Sequence, residues 1–502
     1  MLTGRQLDLV LVNPGNRTQI FQSLAADLAA IEPPIWAALI ATFIRARGFA
    51  VDIVDAEGEG LSFDETVTRI IDMDPILTAV IVYGHQPSAS TQNMAAAGKL
   101  CAQLKERAPN LKTILVGGHV AALPGRTLRE ENVDFTCDGE GPYTILQLLR
   151  ALRDKETDLA KVGGLWYRNG DTILHSGPGS LVQHLDVEMP GMAWDLLPMQ
   201  KYRAHNWHCF GDLIRQPYAS FYTSLGCPFR CSFCCIQAPF KAGEGLMGLK
   251  PTINSYRMWK PKTIVAEIDK LVNQYSIRNI KIADELFVLN AKHVNELCDL
   301  IIERNYDLNI WAYARVDTVK EGMAEKLGRA GIHWLAFGIE AASERVRDDV
   351  EKGFDQSDIA KTIHEVRAAG INVIGNFIFG LPEDDLSSMQ ATLDLALDLN
   401  CEFANFYVAM AYPGSQLYND AVRKNWPLPA TWSGYSQHAV DTLPLPTKYL
   451  SAGEVLRFRD HAFQVYFKNP NYLNMISNKF GPETSLHIRE MAAHRLERWY
   501  AQ

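Results

Sequence analysis

The chain has no apolar run long enough to cross a bilayer: stretches such as residues 35–44 have the length of a core helix. It has no surplus of basic residues either. Its 49 Lys and Arg stand against 58 Asp and Glu, a net charge of -9, which argues against a nucleic-acid backbone as the main partner. No secretory leader is legible, because residues 7–12 read as a short strand that ends at Asn13-Pro14. A disulfide framework is also missing. The nine Cys are an odd number, and four of them crowd between Cys227 and Cys235. Such clustering points to a metal centre in a reducing compartment, the cytoplasm. Internal repeats and low-complexity tracts are absent. What is there is 502 residues, 47% apolar and 21% charged, enough for two or more packed domains.

Apolar strand-like runs at residues 7–12, 50–54, 78–83, 113–116 and 133–137 alternate with stretches of helical period. This alternation predicts an α/β domain over residues 1–153, a doubly wound, flavodoxin-like sheet of five parallel strands. Ligands of such sheets sit where loops leave the carboxyl ends of the strands. Those loops are Asn13-Pro14-Gly15, Glu57-Gly58-Glu59-Gly60, Tyr83-Gly84-His85, Gly117-Gly118-His119 and Gly139-Glu140-Gly141. One glycine loop can simply end a strand, but five on one edge favour close approach to a large flat ligand.

Residues 154–216 read as a connector. A β-hairpin turns at Asn169-Gly170, and a Pro- and Met-rich crossing follows at 189–198. From 217 to 425, six strand–helix units run without an antiparallel break. Their strands are expected at 218–224, 280–283, 310–314, 334–338, 373–379 and 404–410. That order predicts a partial (β/α)6 barrel with its site at the C-terminal strand ends. Residues 426–502 read as a small helical cap whose Phe458, Phe463, Tyr466 and Phe467 have the spacing of core packing. The segment 238–262, rich in Gly, Pro and Lys, has no evident role.

Just past the first barrel strand stands Cys227-Pro-Phe-Arg-Cys231-Ser-Phe-Cys234. Three thiolates at this spacing can hold three irons of a 4Fe-4S cubane and leave the fourth iron open to an outside molecule. Structural zinc is the competing reading, but a closed zinc site wants four ligands and no second Cys pair lies nearby. Cys235 is adjacent to Cys234, and consecutive side chains point in divergent directions.

In this setting the Cys-x3-Cys-x-Phe-Cys motif resembles the radical S-adenosylmethionine (SAM) superfamily. Three later segments are similar to that family's strand ends: 283–287, 337–343 and 376–383, the last with Asn376 where the family has a first Gly. The resemblance implies a 4Fe-4S cluster on Cys227, Cys231 and Cys234. It also implies SAM contacts from Phe233, Asp284, Glu285, Arg315, Glu340, Ser343, Ile378 and Gly380. For Arg315 a barrel-internal ion pair is the alternative. The N-terminal domain resembles the cobalamin-binding module often placed ahead of this barrel, through Glu32-Pro33-Pro34, Gly117-Gly118-His119 with Pro124, and Asp138-Gly139-Glu140-Gly141. Cobalamin contacts so implied are Asn13, Pro14, Glu57, Gly58, Tyr83, Gly84, His85, Gly117, Gly118, His119, Gly139, Glu140 and Gly141.

The Asp-x-His-x-x-Gly motif that supplies a lower axial His to many cobalamin proteins is not in the sequence. His85 could approach the lower face, and packing within its own loop explains it as well. The resemblance implies methylation at an unactivated centre of a small-molecule biosynthetic intermediate, through a 5′-deoxyadenosyl radical and methylcobalamin. An electron donor such as a flavodoxin or ferredoxin would serve it. No catalytic residue is assigned. A radical cyclase or rearrangement enzyme without methyl transfer is the main alternative. A methylthiotransferase would need a second cluster, yet Cys101 and Cys137 read as small buried hydrophobes. A non-catalytic cobalamin sensor would leave the three-Cys motif unexplained.

Overall fold

Short β-branched runs bounded by turn formers become the strands of the N-terminal half in the computed structural model, which describes residues 7–15, 22, 29–155, 158–211, 214–320 and 322–501. The outermost residues of the expected first domain and cap, 1–6 and 502, lie outside the described residues. Strands β1 (Leu9–Asn13), β2 (Val51–Asp55), β3 (Leu77–Ile81), β4 (Lys112–Val116) and β5 (Phe135–Cys137) are parallel in the order β2-β1-β3-β4-β5. Side chains alternate between two buried faces. Leu9 and Leu11 join the core under helix Ile35–Arg45, while Val10 and Val12 join the core under helix Ala89–Arg107. A parallel sheet must be covered on both sides in this way. The strand order reverses between β1 and β3, which opens a crevice at their carboxyl ends.

The hairpin expected in a connector extends this sheet instead. β6 (Leu165–Asn169) pairs antiparallel with β5, and β7 (Thr172–His175) pairs with β6, for seven strands in all. β5 is only three residues long, and the hairpin covers an edge that would otherwise be left open. Two expected loops are also short helices, Ala56–Glu59 and Gly118–Ala122.

The first barrel strand is interrupted. β8 (Tyr218–Phe221) stops early, and β9 (Ser224–Leu225) bends off to pair antiparallel with β10 (Arg257–Met258) inside the 238–262 segment. Asp284 fixes the bend by accepting hydrogen bonds from the Thr223 N–H and from the Thr223 and Ser224 hydroxyls. β8, β11 (Asn279–Ile282), β12 (Asn309–Ala314), β13 (Ile332–Glu340), β14 (Asn372–Phe379) and β15 (Phe403–Val408) then pair in chain order, all parallel. The result is an open, six-stranded partial barrel.

Helices Ala452–Phe467, Pro470–Phe480 and Pro482–Ala493 form the tail. Tyr466 and Tyr472 anchor it by donating to the carbonyls of Cys401 and Glu402 beside β15. The N-terminal half closes over the barrel through buried polar contacts. Arg257 pairs with Glu140 at 2.7 Å, Gln86 donates to the Tyr313 hydroxyl at 2.6 Å, and both Tyr218 and Lys281 engage Glu32. No described helix is long and apolar enough to cross a membrane.

Candidate active site between the two sheets

A cavity of about 650 Å³ lies where the carboxyl ends of the two sheets meet. This is a volume typical of small-molecule and cofactor sites. The bend after β8 carries Cys227, Cys231 and Cys234 to its wall. The loop is held by the Cys234 N–H on the Cys231 carbonyl (3.0 Å), the Ser232 N–H on the Val350 carbonyl (3.1 Å), and the Asn254 amide on the carbonyls of Cys227 and Phe229. Burial pushes the Cys227 thiol up to about 11 and raises Cys231 and Cys234 as well. The free thiols are therefore neutral, and a bound cation is needed to draw off their protons. Among the described residues no three His, Cys, Asp or Glu groups converge on a single ion. Cys235 is buried and its thiol is pushed up to about 12. Upstream, Cys101, Cys137 and Cys209 are buried within the hydrophobic cores.

Of the residues assigned to SAM, Phe233, Glu285, Arg315, Glu340 and Ile378 border the cavity. The Arg315 guanidinium sits 4.1 Å over the Phe229 ring. It donates to Asp317 and to the Gly353 carbonyl, while its buried Nη1 has no partner among the described residues. Part of Arg315 is thus the expected barrel-internal ion pair, and the remaining donor suits a ligand carboxylate. Glu340 holds a left-handed backbone (φ +64°) at the end of β13, and its Oε1 lies 2.7 Å from Lys352 Nζ. Burial raises the Glu285 carboxyl to about 7, against the pull of Lys281 and Lys352.

Three assigned residues lie off the cavity. Asp284 is consumed by the bend before the cysteines, and Ser343 precedes helix Glu344–Asp349 without lining the wall. Gly380 packs so tightly on Val455 of the tail that a Cβ would collide.

On the other wall stand Asn13, Pro14, Glu57, Tyr83, Gly84 and His85. Gly118 borders a smaller adjoining void of about 30 Å³ with Trp36, Tyr83 and Phe240. The other six expected cobalamin contacts border neither void. The Gly58 N–H caps onto Asp55, and a Cβ at Gly117 would strike the Val82 carbonyl. His119 is buried between Thr91 and Trp432, and Gly139 lies against Gly179. Glu140 is spent on Arg257 and the Val182 N–H. Gly141, at φ +109°, starts helix Pro142–Arg153 against Val116. Burial lowers the His85 pKa to about 4, against the pull of Glu32. The His85 Nδ1 lies 3.3 Å from the Ser220 hydroxyl and 3.6 Å from Glu32, and it also bonds the Pro33 carbonyl. The ring is tied to barrel and loop together, which favours its packing role.

Sequence reasoning missed Lys352 and the pairing of Glu32 with Lys281 and Tyr218. Burial alone would raise the Glu32 carboxyl, but His85, Lys281 and His205 hold it well below its usual value, helped by the Tyr218 hydroxyl. The one signal for this group was Lys281, a cation inside an otherwise apolar strand. Arg459, Phe463 and Met491 of the tail also reach the cavity, which no local pattern announces.

The Radical SAM superfamily model matches residues 221–396, and the B12 binding domain model matches residues 22–149. The chain is a cobalamin-dependent radical SAM enzyme. Its cofactors are a 4Fe-4S cluster, SAM and cobalamin, and the cavity walls contributed by the two matched regions fit that set. TsrM from Kitasatospora setae, with cobalamin and a 4Fe-4S cluster bound, superposes with a TM-score of 0.68 over 98% of this chain and 100% of its own, at 15% identity. An uncharacterised methyltransferase of Pyrococcus horikoshii is 28% identical over 88% of this chain and 89% of its own length. The anaerobic magnesium-protoporphyrin IX monomethyl ester cyclase of Rubrivivax gelatinosus is 26% identical over 80% of this chain and 68% of its own.

Proposed function

We propose that this enzyme methylates an unactivated centre of a small-molecule biosynthetic intermediate. The observation that carries the reading is one continuous cavity bordered by the three-cysteine loop, the barrel strand ends and the loops of the B12-binding domain. The methyltransferase names of relatives in both sequence and fold support it. When bound, the cluster with SAM supplies a radical that removes a substrate hydrogen, and cobalamin supplies the methyl group. Cys227, Cys231 and Cys234 are the cluster ligands. The free Arg315 donor receives the SAM carboxylate, Glu340 and Glu285 face its ammonium or ribose, and Phe233 and Ile378 pack on its apolar parts. Asn13, Pro14, Glu57, Tyr83, Gly84, His85 and Gly118 face cobalamin. Aromatic walls from Trp311, Phe403, Tyr407 and Phe463 limit water around the reacting groups. An electron donor such as a flavodoxin or ferredoxin serves the cluster in the reducing cytoplasm.

The working division of the chain is 1–153 for cobalamin, 154–216 as connector, 217–425 for SAM and 426–502 as cap, with the hairpin at 165–175 reassigned to the first sheet. The cyclase among the relatives keeps ring closure as a second reading. Anaerobic metal analysis should find about four irons together with cobalt in each chain. Iron without cobalt would undo the cobalamin half. Product mass then separates the reactions: gain of a CH2 unit means methylation, and loss of two hydrogens means cyclisation.

A further inference from the structure

We propose that the exposed face formed by Arg230, Lys241, Leu246, Lys250 and Ile253 beside the cysteine loop is the docking surface for a small acidic electron-carrier protein. The inference rests on the functional reading above, since only a redox cluster on Cys227, Cys231 and Cys234 needs an outside electron. One electron passes from the carrier's reduced iron–sulfur centre, which is oxidised, to the cluster of this chain, which is reduced. No atom is exchanged.

The charge pattern is the first support. The chain as a whole is net -9, yet residues 226–262 hold Arg230, Lys241, Lys250, Arg257, Lys260 and Lys262 against a single acid, Glu244. Arg257 and Glu244 are buried, Arg257 on Glu140 and Glu244 on Gln237, Lys241 and Ser255. The exposed charges of the segment are all cationic, with Lys241 committed to Glu244. Contiguity with the cluster loop is the second support. Asn254 donates to the carbonyls of Cys227 and Phe229 while its Oδ1 accepts from Lys241 Nζ at 3.1 Å, and the Ile253 N–H closes a turn onto Lys250. Pro228 and Arg230, between the first two cysteines, are themselves exposed.

The third support is apolar: Leu246 and Ile253 stand 56% and 48% exposed among these cations. Apolar anchors ringed by charge of one sign suit a transient, electrostatically steered contact. On its other side the loop touches residues 350 and 351, and there the exposed charges are Glu344, Asp348, Asp349 and Glu351, with Arg345 committed to Glu383 and Asp385. The surface around the loop is therefore polarised, and an acidic partner is admitted from the 230–262 side and repelled from the other.

The test uses the cluster-loaded chain and a [2Fe–2S] ferredoxin. Oxidised ferredoxin should bind wild type with an affinity that falls as salt rises. Arg230→Glu with Lys250→Glu should weaken binding by about tenfold or more and slow reduction of the cluster by reduced ferredoxin to a similar degree, while dithionite reduces both proteins alike. Glu344→Lys, on the opposite side, should not weaken binding. Should the double variant lose iron, Lys250→Glu alone repeats the comparison in the turn away from the cysteines. Unchanged ferredoxin binding in the cation-reversed variant, or an equal loss in Glu344→Lys, overturns the assignment. Failure of dithionite-driven SAM cleavage in wild type would instead strike the functional reading, because ferredoxin binding is measured independently of turnover.

Discussion

Glu340 and Lys352 form a buried pair at the SAM end of the cavity, and removing one charge at a time makes a quantitative prediction. Their side chains are 7% and 10% exposed, and Nζ lies 2.7 Å from Oε1. Taking one partner out of such a pair leaves the other charge desolvated and costs about 3–5 kcal/mol. Glu340→Gln and Lys352→Met should each lower stability by that order. The double variant should return most of it, because two neutral side chains of similar volume pack without stranding a charge. SAM binding should separate the roles further. Losing a charge-assisted hydrogen bond from Glu340 costs about 1.5–3 kcal/mol, so Glu340→Gln should bind SAM about ten- to a hundredfold more weakly. Iron and cobalt content should stay as in wild type, since Glu340 belongs to neither metal set. The assay is anaerobic calorimetric titration with SAM, alongside denaturant midpoints of metal-matched samples. Unchanged SAM affinity in Glu340→Gln would make Glu340 purely structural. A double variant as unstable as the sum of the singles would show that the two charges do not depend on each other.

Alanine at Cys227, Cys231 or Cys234 should abolish SAM cleavage and lose iron, while Cys235→Ala keeps the iron and its absorbance; the reverse pattern at 234 and 235 would shift the ligand set by one residue. Gly118→Leu has room in the backbone and should lower cobalt content without touching the iron. Gly117→Ala should instead destabilise the fold by about 1–3 kcal/mol, because its methyl would meet the Val82 carbonyl. Both would fail if cobalt fell equally at unchanged stability. The cob(II)alamin form should show no axial nitrogen splitting in its electron paramagnetic resonance spectrum. A three-line splitting lost in His85→Ala would make His85 the lower ligand. Asp55 is raised from 3.8 to about 6, chiefly by burial against the hydrogen bonds of Gly58, Asn13 and Tyr202. A raised folded value contributes stability fully present below pH 3.8 and lost as pH rises through about 6, in all about 3 kcal/mol. Denaturation midpoints of Asp55→Asn should lack this fall, and an identical profile in the variant would refute it.

Elements whose signal is local were legible in advance. The strands of both sheets were placed within a few residues, because buried parallel strands are short apolar runs between breakers. The cysteine motif was equally local, since its spacing is set by a single loop. The glycine loops were harder to read. Glycine is required both where a ligand approaches and where backbone packs closely at a strand end, and Gly117 and Gly141 meet close neighbours of the second kind.

Composition and periodicity by themselves determined the two α/β units, while the family was reached through the resemblance of the Cys-x3-Cys-x-Phe-Cys loop and the strand-end segments to known proteins. The partners of charged side chains were decided only in three dimensions. Lys352 meets Glu340 from 12 residues away, Lys281 meets Glu32 across 249, and the hairpin joins a sheet rather than a linker. A residue's own neighbours set its backbone and its face, but a buried charge must find its counter-ion wherever the chain folds back, and no local pattern encodes that meeting.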